Sequence, residues 1–189
     1  MEIYKVLLKN IKSFVEVNEF QFDNTSHINT ISGVNGAGKT TLFKSILLAQ
    51  RVFFFDQLGD SELQLSLEKD LLSYLSLINS EIKIVFKLID RQDFFPTFSV
   101  LCTTRLPNSL EWELKCEDAD RIEILKYWNV KNPQKIIVYV DSNRTINENN
   151  FSHEGISLKS SAQGDDLAID YIFYPDRLFS SIYERIIKD

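Results

Sequence analysis

Cysteine is scarce in this chain, and so are its usual companions in metal chemistry. Two cysteines, Cys102 and Cys116, occur in 189 residues, with two histidines to help them. Their spacing matches no metal-ligand pattern, so both read as reduced packing residues rather than a disulfide or a zinc site. Long apolar runs are lacking too. The most apolar stretch, residues 45–55, is interrupted by Gln50-Arg51 and falls short of a bilayer span. The opening Met1-Glu2-Ile3-Tyr4-Lys5 has neither the apolar core nor the cleavage site of a secretion signal. No membrane partner is expected, and the expected location is cytoplasmic. Basic excess is also missing: the net charge is −6 and the pI is near 5.0. That argues against a surface that coats nucleic acid broadly, because such binding rests on clustered Lys and Arg. It leaves room for a local basic groove, or for DNA contact through parts of a longer protein. With 44% hydrophobic and 25% charged residues, the chain can bury one sizeable core. It carries no repeat or low-complexity tract.

Glycine is sparse as well, six in all, yet Gly33, Gly36 and Gly38 fall within one octapeptide. Gly33-Val34-Asn35-Gly36-Ala37-Gly38-Lys39-Thr40 fits the phosphate-binding pattern G-x-x-x-x-G-K-[ST] at every required position. The three glycines are expected to take φ > 0 and let the backbone wrap closely around phosphate oxygens. The wrapped N–H groups, with the positive end of the following helix, make an anion nest. Lys39 supplies a point charge for the β- and γ-phosphates. The Thr40 hydroxyl suits Mg²⁺, and Thr41 can meet the α-phosphate. The flanks agree: residues 27–32 alternate as a short strand, and residues 41–49 have helical spacing with Leu42, Ile46 and Ala49 on one face. ATP and Mg²⁺ are the expected ligands. No guanine-reading Asn-Lys-x-Asp segment is present, which favours adenine.

The rest of the chain is punctuated clearly. Residues 3–11 and 15–22, with Lys12-Ser13-Phe14 between them, read as an antiparallel hairpin or a pair of adjacent strands. Residues 60–79 carry Leu67, Leu71, Leu75 and Ile78 at helical spacing, with Asp60 or Ser61 as the cap. Strand-like stretches follow at 81–89, 95–103 and 110–116, punctuated by Pro96 and Pro107-Asn108, as a small meander at a sheet edge. A helix is predicted over 120–128, then a strand buried on both faces over 135–140. Residues 143–166 are polar loop. Tyr174-Pro175-Asp176-Arg177 opens a helix with Leu178, Ile182 and Ile186 that reaches Asp189 without a cap, as a piece of a longer chain does. The run Phe53-Phe54-Phe55 follows an apolar helix and reads as core rather than a base-stacking platform.

The opening strand with Lys12-Ser13-Phe14, the second strand and the loop ending Thr40-Thr41 together resemble the N-terminal lobe of ABC-type ATPases of the AAA family. More narrowly they resemble the RecF, SMC and OLD branch, which also supplies bacterial phage-defence ATPases. Asn35 between the glycines and the Thr-Thr ending carry that narrower likeness, over about the first fifty residues. The resemblance implies an α/β P-loop NTPase of ABC-head type. Its mixed sheet would carry an antiparallel β edge subdomain and the start of a helical insertion. The nucleotide-binding lobe then covers 1–165 and the helical subdomain starts at 166–189. The cofactor-binding residues are Gly33, Val34, Asn35, Gly36, Ala37, Gly38, Lys39, Thr40 and Thr41, with Thr40 on the metal. Lys12, in the turn after the first strand, either touches phosphate or ribose or is an exposed loop lysine.

The resemblance also implies that two heads sandwich ATP, as a homodimer or higher oligomer. A nuclease or other effector is the implied partner protein. A serine-rich signature, a strand-end Asp-Glu pair and a downstream histidine complete the site in that family, and none is recognisable here, so the catalytic residues are unknown. Asp141, after residues 136–140, is the best internal acid. Ser142 follows it where a glutamate belongs, and a core strand ending in an Asp-Ser-Asn-Arg turn is the favoured reading. Ser160-Ser161-Ala162-Gln163-Gly164 has only a superficial likeness to the signature. Gln163-Gly164-Asp165 is either a Mg²⁺-contacting glutamine segment or, favoured, a solvated loop. Arg144 either pairs a carboxylate or belongs to a nucleotide or DNA surface. Two function classes remain beside each other: an ATPase serving DNA repair, DNA sensing or anti-phage defence, and a nucleotide-gated interaction module with little hydrolysis. A small-molecule phosphotransferase fits poorly, because 81–116 reads as sheet rather than an arginine-bearing lid.

Overall fold

A computed structural model of the chain describes residues 1–22, 29–59, 61–91 and 93–129. Five strands, β1 Glu2–Lys9, β2 Asn18–Gln21, β3 Glu81–Lys87, β4 Thr97–Arg105 and β5 Leu110–Cys116, form one sheet in the order β2-β1-β3-β4-β5. Alternation decides which face is buried. In β3, Ile82, Ile84 and Phe86 point inward while Glu81, Lys83, Val85 and Lys87 do not. Register carries the pattern across the sheet. Val6 pairs with Ile84 and Ile84 with Phe98, while Leu8 pairs with Ile82 and Ile82 with Val100. A one-residue slip in any strand would turn its apolar set to the opposite face.

Three helices complete the described fold: α1 Lys39–Leu58, α2 Ser61–Tyr74 and α3 Asp118–Leu125. α1 lies against β3, β4 and β5 on one side and α2 on another. Every residue from 45 to 54 in it is buried, Gln50 and Arg51 included. A helix enclosed on all sides has no polar face to keep, which is why its sequence shows so little amphipathic contrast. Arg51 is compensated by an ion pair to Asp70 of α2, whose carboxylate is half-exposed. Leu67 and Leu71 from α2, and Leu75 just past its end, are fully buried. The heart of the core is aromatic. Phe53 contacts Phe98 at 5.1 Å between centroids, and Trp128 meets Phe86 at 5.1 Å edge to face. Gln57 Nε2 donates to Trp128 O at 3.0 Å, and Arg121 pairs with Asp56, so the last turns of α1 are tied to α3 and the residues after it.

Several expectations change here. The first helix does not end near Ala49 but continues through Phe53-Phe54-Phe55 to Leu58, because nothing between breaks it. Gly59, at φ +63 with its N–H on Phe55 O, supplies the stop. Ile78 leaves the leucine stripe and is 53% exposed, since α2 closes at Tyr74 and Asn79 turns left-handed at φ +63. The stretches at 81–89, 95–103 and 110–116 are strands as expected. They form the expected meander at one edge of the sheet, and β3 joins it to β1. All four pairings are antiparallel, so among the described residues the sheet is not the mixed one anticipated. Among the described residues, 29–32 form no strand. The expected strand at 135–140, the loop at 143–166, the helix from 174 and the domain division at 165 lie outside the described residues. Among those described, no helix is long and apolar enough to cross a membrane.

Candidate functional site: a phosphate cradle at the start of the first helix

The site begins where an irregular segment meets α1, the longest of the described helices. Ile31 packs against the core, and the chain then leaves it: residues 32–37 are exposed. Ala37 N–H donates to Val34 O at 3.2 Å, folding the loop back on itself. Gly36 and Gly38 carry it onward at φ +85 and +87, where a side chain would be strained. Gly33 differs from expectation. It is not among the positive-φ residues, and its bare face serves close approach instead, with a Cβ there lying 3.3 Å from Ala37 Cβ.

Gly38 is the N-cap of α1, and no side chain caps it. Its carbonyl accepts from Leu42 N at 2.9 Å, the first helical bond. The amides of Lys39, Thr40 and Thr41 therefore have no intrahelical acceptor, as in the first turn of any helix. No acidic residue sits in that turn. Donors without partners, the positive end of a twenty-residue helix and no opposing carboxylate together favour an anion. Lys39 completes the arch. Its Nζ donates to Gly33 O at 2.5 Å and Val34 O at 2.9 Å, spanning the loop from the helix to its first residues.

Here an open cavity of about 410 Å³ is lined by Ser13, Asn35, Gly36, Ala37, Gly38, Lys39, Thr40 and Thr41. A volume of a few hundred Å³ is of the order that small-ligand sites use. The donor set fits a polyphosphate, and the exposed Thr40 hydroxyl stands at the helix start where a phosphate-bound cation would be reached. Seven of the predicted contacts thus line one cavity. Gly33 and Val34 take part through their carbonyls, and the Val34 side chain is 79% exposed.

Lys12 is not among the lining residues. Its ammonium lies 4.0 Å from the centroid of the Tyr74 ring, a cation–π contact with the end of α2. The neighbour Ser13 lines the cavity in its place. Only the position of the turn pointed toward it; seeking a basic residue there passed it over. Asp141, Arg144 and the segment 160–165 lie outside the described residues. Among those described, no group of three His, Cys, Asp or Glu could hold a metal ion. Both cysteines are free thiols. Burial pushes the Cys102 thiol up against the pull of Arg105, and that of Cys116 up to about 11 against the pull of Arg121.

Comparison with known proteins identifies a family. A family model described as an AAA domain covers residues 5–174, which includes both walls of the cradle. No curated protein matches the chain.

Proposed function

The chain belongs to the AAA-domain family, whose members are nucleotide-binding ATPases, and we propose that it binds Mg²⁺-ATP at residues 33–41. In this reading the chain is the N-terminal lobe of an ABC-type ATPase head of the RecF/SMC/OLD-like branch. The observation that carries it is the arch at the start of α1: Lys39 Nζ across the Gly33 and Val34 carbonyls, over uncapped amides and a 410 Å³ cavity. Bound triphosphate would draw that ammonium from the carbonyls to its β- and γ-oxygens. The amides of Lys39, Thr40 and Thr41 would hold the phosphates, and Thr40 the cation. Mg²⁺ supplies neutralisation of charge shared by the β- and γ-phosphates.

Hydrolysis belongs to the engaged heads, with a second copy closing the nucleotide from the opposite side. Head engagement on ATP and release after hydrolysis would then serve DNA repair, DNA sensing or control of a defence effector such as a nuclease. DNA would be met through other parts of the protein.

Calorimetry with Mg²⁺-ATP, paired with thermal melting, tests the assignment. The wild type is expected to bind. Lys39→Ala is expected to lose about a hundredfold or more in affinity while melting as the wild type does, because a charge-assisted contact to phosphate is removed. Retained affinity in a folded Lys39→Ala protein would contradict the role given to Lys39. Binding by the full-length protein without turnover would favour the nucleotide-gated interaction module over the ATPase.

A further inference from the structure

The turn between β1 and β2 contributes more to the site than the wall formed by Ser13. The next residue, Phe14, presses its ring on the loop itself. A Cβ built on Gly38 would lie 2.5 Å from Phe14 Cζ and 3.2 Å from both Cε atoms. Cβ atoms do not come that near a ring carbon, so the ring tip occupies the space that glycine leaves open. We propose that Phe14 is a positioning residue for the phosphate loop. Its ring props Gly38 in the left-handed conformation and so aims the first amides of α1 at the phosphates. The inference rests on the phosphate-binding reading above and names a part of that site that lies outside the phosphate-loop motif.

The ring is itself held. It packs edge to face on Phe20 of β2, at 5.3 Å between centroids and 72° between planes. Phe14 N–H donates to Ile11 O at 2.8 Å, and Ile11 N–H returns to Phe14 O at 2.9 Å. Ile11 is fully buried and also bridges to Leu75, just past α2. On either side of it Asn10 and Lys12 stand at φ +53 and +48, a conformation that non-glycine residues keep only when their surroundings impose it. Those surroundings are on the far side of the turn. Ser76 Oγ donates to Asn10 O at 2.9 Å, Ser80 Oγ lies 2.9 Å from the same oxygen, and Lys12 is seated on Tyr74. The end of α2 thus fixes the turn, the turn fixes Phe14, and Phe14 meets Gly38.

An aromatic side chain next to a nucleotide site invites a different reading, as a platform for the base. Geometry speaks against it: Cζ points at Gly38, and Phe14 is not among the cavity-lining residues. The two roles separate by ligand. A prop acts on the phosphate cradle, so it matters equally for ATP and for bare tripolyphosphate. A platform matters for ATP alone.

The experiment titrates Mg²⁺-ATP and Mg²⁺-tripolyphosphate into the wild-type chain and into Phe14→Ala, Phe14→Leu and Phe14→Tyr, with thermal melts of each. Phe14→Ala is expected to weaken both ligands by the same factor, roughly tenfold to a hundredfold, the scale on which residues supporting a site act. Phe14→Leu is expected to weaken both by less. Phe14→Tyr should do worse than leucine despite its closer shape, because its hydroxyl sits on Cζ and is driven into Gly38. A loss confined to ATP overturns the proposal in favour of a base platform, and an undiminished affinity in folded Phe14→Ala overturns it outright. Should the alanine variant not fold, leucine and tyrosine decide: leucine equal to the wild type, or tyrosine better than leucine, overturns it. A wild type that binds neither ligand sinks the phosphate site itself, so the two failures are distinguishable.

Discussion

The two ends of α1 are made from the same residue in the same backbone region and serve opposite purposes. At the front, Gly38 stands at φ +87 with no side chain capping the helix, and the amides beyond it face a cavity. At the back, Gly59 stands at φ +63, and its N–H closes on Phe55 O at 2.9 Å. The back end satisfies its own polar groups, as helix ends in folded proteins must. The front end leaves them for something else. Between the two lies a stretch buried on every side, which keeps the front end from shifting as a loop would. A ligand site on a rigid element is aimed better than one on a free loop. The difference teaches that glycine in the left-handed region marks a stop when its neighbours turn inward, and a cradle when they do not.

The strongest way to break the comparison is to remove what joins the ends. Phe53 is 1% exposed, packed on Phe98 and Trp128. Phe53→Ala is expected to cost about 3–5 kcal/mol of folding stability, the transfer term plus the cavity left behind. Denaturant melts measure this directly. Titration of the folded fraction should still show triphosphate affinity near wild type, since the cradle touches none of those rings.

Substituting the two glycines sharpens the contrast. Gly38→Ala meets both a strained φ and the Phe14 ring, and triphosphate affinity is expected to fall about a hundredfold, near 3 kcal/mol. Gly59→Ala meets open space and only the φ penalty, so about 1 kcal/mol of stability is expected to go, with affinity unchanged. Calorimetry and melts on both variants check the pair. If Gly59→Ala weakened binding as much as Gly38→Ala, the two ends would not be separate in function.

These contrasts also explain what could be read in advance. The phosphate loop was legible because its glycines, lysine and threonines are required at fixed spacing, and most of them line one cavity. β3, with its strict alternation, was legible for the same reason of periodicity. α1 beyond Ala49 was not, because a helix buried all round erases the period that marks it, although Gly59 was there to show the stop. Ser13 and Phe14 were hidden for another reason. They reach the loop through a turn whose shape depends on Ser76, Ser80 and Tyr74, more than sixty residues away in sequence. Nothing local in Lys12-Ser13-Phe14 states that contact.

The smallest effect concerns pH at the back end of α1. Cys116 closes β5 beside α3, with its thiol in reach of the Thr97 and Glu117 carbonyls. Burial lifts its pKa from 9.0 to about 11, outweighing the pull of Arg121. Below pH 9 the thiol is protonated folded or unfolded, and its contribution to stability is fully present. Between about 9 and 11 the unfolded chain releases this proton while the folded chain keeps it, so stability falls as pH rises through that window. The thiol is only half-buried, and solvent screening holds the expected loss below about 1 kcal/mol. Melts of wild type and Cys116→Ala between pH 8 and pH 11 measure it as the difference in slope. The same lysine-tipped arch at the front end has no thiol near it, so triphosphate affinity should show no difference between the two proteins across that range. A difference there would mean that the ends of α1 communicate through the helix.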